Sequence, residues 1–287
     1  MLTAVASRRV LTSVVAVLGL GFAVSGAAPD RDRTILGRSE RLGSGTVQSF
    51  VTLDRAGAPL AIGVTLSAGA LEQLPAVPNA VSRCYDLDGD GKYTGHECHG
   101  DEERILDVPA DSSAKLPFRW IQINWNPAGH YNTPYARPHF DFHFHTGDRA
   151  RVEAIAPGRC GELVDCRQFK IATRPVPARY VPSGYIDIGA VVPRMGNHLL
   201  DSRSPELQDS LPFTSTFIYG AWDGELIFWE PMITLEFLAS ARDTCLEIRQ
   251  PDAYRQAGYY PSEYCVRQKD NGERTVSLEQ FRYSPAR

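Results

Sequence analysis

Several common catalytic signatures are missing from this 287-residue chain. No Gly-x-Ser-x-Gly elbow occurs, which removes the usual serine-hydrolase nucleophile. No Cys-x-x-Cys occurs either, so a compact thiolate zinc site has no anchor. Lysine is scarce, with four residues against twenty-six arginines, a bias of composition rather than a basic patch. The closely spaced glycines at 19 and 21 fall inside an N-terminal apolar stretch, where a phosphate-cradling loop has no place. No internal repeat is found.

Residues 1–27 read as an export signal: Arg8 and Arg9, an apolar run from Val10 to Val24, then Ser25-Gly26-Ala27 for cleavage. A fifteen-residue run is too short to span a bilayer comfortably, and the mature chain is expected to lack a membrane span. Loss of the two arginines takes the formal net charge from −4 to −6. That balance argues against nucleic acid or an anionic membrane as partner. The expected location is secreted or cell envelope, periplasmic or extracellular.

All six cysteines, Cys84, Cys98, Cys160, Cys166, Cys245 and Cys265, follow the signal. An even count in an exported chain predicts disulfides, and nearest-neighbour pairing (84–98, 160–166, 245–265) closes three short loops. Twenty prolines and twenty-four glycines suit many turns. The expected fold is mainly β, an antiparallel barrel or sandwich with few short helices and long loops. Residues 28–45 read as a flexible leader and 46–242 as the β-rich domain. Within that domain, 72–118 is loop-like and 84–98 is a calcium-type insertion. Residues 243–287 read as a disulfide-closed extension. Asp223-Gly224 marks a hairpin between strands at 212–219 and 225–229, and 233–242 reads as the clearest helix.

Asp86-Leu87-Asp88-Gly89-Asp90-Gly91-Lys92-Tyr93-Thr94-Gly95-His96-Glu97 fits a twelve-residue EF-hand loop. Asp86, Asp88 and Asp90 stand at positions 1, 3 and 5, Gly91 at the turn, and Glu97 at the bidentate position. Lys92 supplies only its carbonyl. Four carboxylates so close repel one another unless a hard cation arrives. Tyr93 stands where an aliphatic residue is usual, and Pro75 and Pro78 leave little room for an entering helix. Cys84 and Cys98 flank the loop instead. A structural calcium is expected; an acidic surface turn is the plain alternative.

The most informative stretch is Pro138-His139-Phe140-Asp141-Phe142-His143-Phe144-His145. Its period-two alternation marks a half-buried strand, with the phenylalanines toward the core and a strip of imidazole and carboxylate on the other face. Neighbours two apart on one face sit about 6.5–7 Å from each other, so His143 with His145, or Asp141 with His143, can share an ion. His139 joins only through a bulge. His198 and Glu230 are the best distant partners by chemistry. Such a set suits zinc, manganese, iron or copper. Solvent-facing or hydrogen-bonded histidines are the plain reading. A cupin-type pattern fails, because Arg137 replaces its glycine and no glutamate follows His145 at the required offset.

Four motifs in order, Asn126-Pro127-Ala128-Gly129-His130, Pro138 to Phe144, Met195-Gly196-Asn197-His198 and Glu230-Pro231-Met232, resemble an exported bacterial domain-of-unknown-function family. Its signature is Asn-Pro-x-Gly-His, His-Phe-Asp-x-His-Phe, Met-Gly-x-His and Glu-Pro-Met, and the resemblance covers about residues 45–240. The family pattern has Tyr where this chain has His145 and Trp where it has Leu199. The resemblance therefore weights His139, His143 and His198, with His130 and Glu230 as companions, and it implies no activity.

The leading functional expectation is an exported metal-binding protein with a calcium staple, and with hydrolase and oxidoreductase chemistry both open. The alternative is a non-catalytic module for a small-molecule or envelope ligand, its histidines structural and its tryptophans a binding surface. A homo-oligomer is compatible with either.

Overall fold

Alternating Phe and His places one strand at the centre of the molecule. Strand β6, His139–His145, sends Phe140, Phe142 and Phe144 into a dry layer between two antiparallel sheets. The computed structural model describes residues 31–76, 83–93, 97–99, 102–109, 115–130 and 133–287. The export signal read at 1–27, and Thr94 to His96 of the acidic loop, lie outside those residues.

With strands numbered in chain order, the larger sheet has seven. They run β4 (Glu102–Asp107), β5 (Trp120–Asn126), β6, β11 (Glu225–Thr234), β10 (Ser215–Trp222), β9 (Gly196–Asp201) and β8 (Tyr185–Val192). The smaller sheet has six: β1 (Arg33–Leu42), β2 (Gly45–Leu53), β3 (Pro59–Leu66), β15 (Arg274–Glu279), β14 (Glu263–Gln268) and β12 (Asp243–Glu247). Neither closes on itself, so the architecture is a sandwich. Val47, Val51, Ile62, Val64, Val276 and Leu278 of one sheet face Ile121, Ile123, Phe140, Phe142, Phe144 and Trp229 of the other. Burying each large apolar side chain here contributes about 1.5–3 kcal/mol. A further pair, β13 (Gly258–Tyr260) with β16 (Arg282–Ser284), stands beside them, and β7 (Pro157–Cys160) is short.

Two boundaries differ from the sequence expectation. Residues 28–45, read as a flexible leader, contain β1, paired residue by residue with β2. Its pattern is mostly exposed, as befits an edge strand, so no apolar alternation announces it. Residues 243–287, read as an extension, supply β12, β14 and β15, and β15 pairs with β3 from Arg274↔Leu66 to Glu279↔Ala61. The last strands of the chain thus complete the sheet begun by the first. Within 72–118, β4 forms against β5, and the helix expected over 233–242 shortens to α4, Leu235–Ser240, because β11 continues to Thr234. Thr234 then caps α4 by accepting from Phe237 N.

The outer face of the larger sheet is also buried. The segment between β6 and β10 folds over it, carrying α1 (Arg149–Glu153), α2 (Cys166–Ala172) and α3 (Pro205–Gln208). Val152, Ile155, Val164, Ala172 and Phe213 pack there on Trp120, Ile218, Phe228 and Met232. All seven residues of β6 are consequently buried, where alternation alone suggested a half-buried strand. Disulfides join Cys84 to Cys98, Cys160 to Cys166 and Cys245 to Cys265, the nearest-neighbour arrangement. Among the described residues no helix is long and apolar enough to cross a membrane.

The β10–β11 hairpin turns at Asp223-Gly224, both with positive φ (54° and 75°), the geometry a two-residue type I′ turn demands. At Gly220 a Cβ would stand 2.0 Å from the Phe228 ring. Only glycine lets Phe228 lie across β10 toward the histidines.

Candidate metal centre

Register brings the polar side chains into one row across the outer face. On β5 and β6 the opposed pairs are Trp120↔His145, Gln122↔His143, Asn124↔Asp141 and Asn126↔His139. On the far side of β6, Phe228 faces His145 and Met232 faces Asp141, which leaves Glu230 beside His143. His198 of β9 faces Gly220 of β10, whose missing side chain opens the way from β9 to β11.

Two separate groups result. In the first, ligating atoms of His143, His198 and Glu230 all lie within 4.8 Å of one another. Glu230 Oε1 is 3.6 Å from His143 Nε2, and Oε2 is 3.7 Å from His198 Nε2. His198 Nδ1 donates to Ala190 O at 3.0 Å, so its Nε2 carries the lone pair. Neither ring nitrogen of His143, nor Glu230 Oε2, makes a hydrogen bond of normal geometry. Phe228 packs against all three histidines of the strip's inner end, with ring centroids 4.9 Å from His143, 5.3 Å from His145 and 5.1 Å from His198.

The second group is His130, His139 and Asp141. His139 Nε2 lies 3.3 Å from His130 Nε2 and 3.2 Å from Asp141 Oδ1. Asp141 Oδ2 accepts from Asn126 Nδ2 at 2.6 Å, and the same amide nitrogen stands 3.3 Å from His139 Nε2. His130 arrives on a tight turn: Gly129 has φ +66°, and a Cβ there would meet Tyr135 O and Arg137 N at 2.4 Å.

Burial sets the protonation. It pushes the His143 and His130 imidazoles down to about 3, against the pull of the Asp141 charge, and lowers His145 and His198 as well. Burial also raises Glu230 well above the ordinary carboxyl value, with Asp141 adding to the rise. Asp141 itself, although burial opposes it, is held low by His139, His130 and His143. Imidazoles kept neutral in this way have nitrogen lone pairs that can ligate.

Of the six residues expected to hold a transition metal, the structure gathers His143, His198 and Glu230 in one group and His139 with Asp141 in the other. His145 joins neither. It stacks flat on Trp120, with centroids 3.6 Å apart and planes 3° from parallel, and its Nε2 donates to Gln122 Oε1 at 3.2 Å.

Sequence reasoning missed His99. It sits beside Cys98, donates from Nε2 to Glu162 O at 2.8 Å, and is lowered to about 4 by burial and by Arg83. It interacts electrostatically with His198, Asp141 and His130; only its adjacency to a disulfide cysteine hinted at a fixed position.

In the acidic loop, Asp86, Asp88 and Glu97 come together. Glu97 is buried and accepts from Leu87 N at 2.8 Å. Asp90 turns to Lys92 N and stands outside that group. At the loop's base, Arg83 is buried and ion-pairs with Glu103, which also takes Gln122 Nε2 at 2.6 Å and Arg194 at 3.2 Å. The loop is thereby wired to the residue that holds His145.

The chain matches no family model, no curated protein and no solved structure.

Proposed function

We propose that the protein is an exported metal-binding protein in which His143, His198 and Glu230 hold a divalent transition metal and the 86–97 loop holds a structural calcium. One observation carries the reading: two buried imidazoles and a buried carboxylate converge, with neither His143 Nε2 nor Glu230 Oε2 making a hydrogen bond of normal geometry. Leaving such groups unsatisfied costs about 1–3 kcal/mol each, and ligation removes that cost for the atoms that bind the ion, one His143 nitrogen and one Glu230 oxygen. Two histidines with one carboxylate is a donor set used by zinc hydrolases and by non-haem iron enzymes alike. A metal so held would polarise a substrate or acidify a bound water.

The residues around the trio supply orientation and dryness. Ala190 O fixes the His198 ring, as a partner behind a ligand histidine commonly does, and Phe228 screens the set from water. Three protein ligands leave a coordination position for an exogenous group. The reaction class is left to an activity screen with hydrolytic and redox arms. The calcium reading rests on the joined carboxylates of Asp86, Asp88 and Glu97 within the Cys84–Cys98 loop. Membership in the exported family with the four-motif signature is part of the same proposal, since three of those motifs deliver His143, His198 and Glu230.

The test is elemental mass spectrometry on untagged, exported protein, beside a His143→Ala/His198→Ala variant. The expected result is stoichiometric transition metal in the parent and its loss in the variant. Calcium alone would sink the transition-metal reading. It would favour a binding module instead, with the cavity of about 330 Å³ lined by Trp229, Tyr254 and Tyr260 as its ligand site.

A further inference from the structure

We infer that His130, His139 and Asp141 form a second cation site, separate from the His143 trio and facing the solvent side of the strip. It goes beyond the reading above and uses different donors, so it stands or falls apart from that site.

His139 Nδ1 lies 2.6 Å from Arg137 O, and a carbonyl only accepts, so Nδ1 bears a hydrogen and, in the neutral ring, Nε2 carries the lone pair. That lone pair faces Asp141 Oδ1 at 3.2 Å, an acceptor opposite an acceptor. His139 and Asp141 are both buried, where such an opposition is costly. Asn126 relieves part of it, donating to Oδ2 and flanking Nε2. A cation between the two acceptors and His130 Nε2 relieves the rest.

The two spacings at His139 Nε2 match those around an ion, and all three donors lie within 4.8 Å of one another. Metal–ligand bonds of about 2.0–2.1 Å at tetrahedral angles put neighbouring donor atoms about 3.3–3.4 Å apart. His139 Nε2 meets its two partners at 3.2 and 3.3 Å, closer to that value than the 3.6 and 3.7 Å of the His143 trio. The supports are also those of a ligand set: Arg137 O behind His139 and Asn126 behind Asp141. His130 is half-exposed while the other two are buried, so the site opens on its side. Two imidazoles and one carboxylate select a divalent first-row ion such as zinc over calcium or magnesium.

Zinc is the probe. Full-length exported protein is stripped with chelator, and calcium is kept in excess so that the acidic loop does not compete. Zinc is then titrated by calorimetry into the parent, His130→Ala, His130→Gln and His198→Ala, each checked by near-UV circular dichroism. The expected result is two equivalents in the parent and one in every variant, with the two His130 variants agreeing. One equivalent in the parent, lost in His198→Ala and kept in the His130 variants, overturns the second site and leaves the first. One equivalent lost only in the His130 variants supports the inference while removing the His143 site. A single equivalent lost in all variants means one shared ion and overturns the separation. No zinc binding anywhere identifies the His130–His139 contact as a hydrogen-bonded pair and overturns the inference outright.

Discussion

Trp120 and His145 lie face to face, 3.6 Å apart and 3° from parallel. The stack fills one face of the imidazole and Gln122 takes its Nε2, so this histidine is spent on packing although it sits two residues from a candidate ligand. A His145→Phe variant is therefore expected to keep the transition-metal content of the parent, read by elemental mass spectrometry. Stability should fall by about 1–2 kcal/mol, the scale of one lost buried hydrogen bond. Loss of metal in this variant would return His145 to the ligand set.

Gly220 predicts a steric lever on the site. A methyl group there meets the Phe228 ring at 2.0 Å, and Phe228 has the three imidazoles around it. Gly220→Ala should destabilise by about 1–3 kcal/mol through overpacking and weaken metal retention against chelator. Thermal unfolding and a competition titration read the two effects. An unchanged melting temperature would mean that Phe228 has room to move.

The acidic loop predicts calcium-dependent stability. A ligand at a hundred times its dissociation constant stabilises by about 2.7 kcal/mol. Chelator-treated protein should gain melting temperature as calcium is added, and Glu97→Gln should abolish most of the gain. The substitution keeps shape and the acceptor for Leu87 N, so an equal gain in parent and variant would place the effect elsewhere.

Acid sensitivity follows from the buried imidazoles. In metal-free protein His143 and His130 are neutral down to about 3 and His99 down to about 4, whereas in the unfolded chain each takes a proton near 6.5. Between those values these imidazoles bind more protons in the unfolded state, so stability falls as pH drops, offset in part by Glu230, whose raised pKa keeps it protonated in the folded state. The fully buried His143 alone contributes about 1.4 kcal/mol per pH unit in that window. Denaturant midpoints from pH 7 to 4.5 measure it, and a flat profile would show the imidazoles already charged.

What the sequence revealed was whatever depends on local periodicity. The Phe/His alternation of β6, the Asp223-Gly224 turn and the short cysteine loops are each set by neighbours a few residues away. β1 was not legible, because an exposed edge strand carries no apolar stripe. The pairing of β15 with β3 was not either, since it joins segments some two hundred residues apart. In the site, residue types pointed to His143, His198 and Glu230, but the division of the strip into two groups was hidden. It depends on Asp141 turning toward His139 and Asn126, a side-chain choice that spacing does not encode.

The complete burial of β6 has a consequence for how the chain finds its pairing. A one-residue slip against β5 or β11 would exchange the two faces of the strand. Three phenyl rings would then occupy the polar row, while three imidazoles and a carboxylate entered the dry layer between the sheets. Each stranded polar group costs about 1–3 kcal/mol, and the aliphatic side chains there offer no partner. Misregistered chains are therefore strongly disfavoured, and the side chains available to bind an ion are the same ones that proofread the sheet.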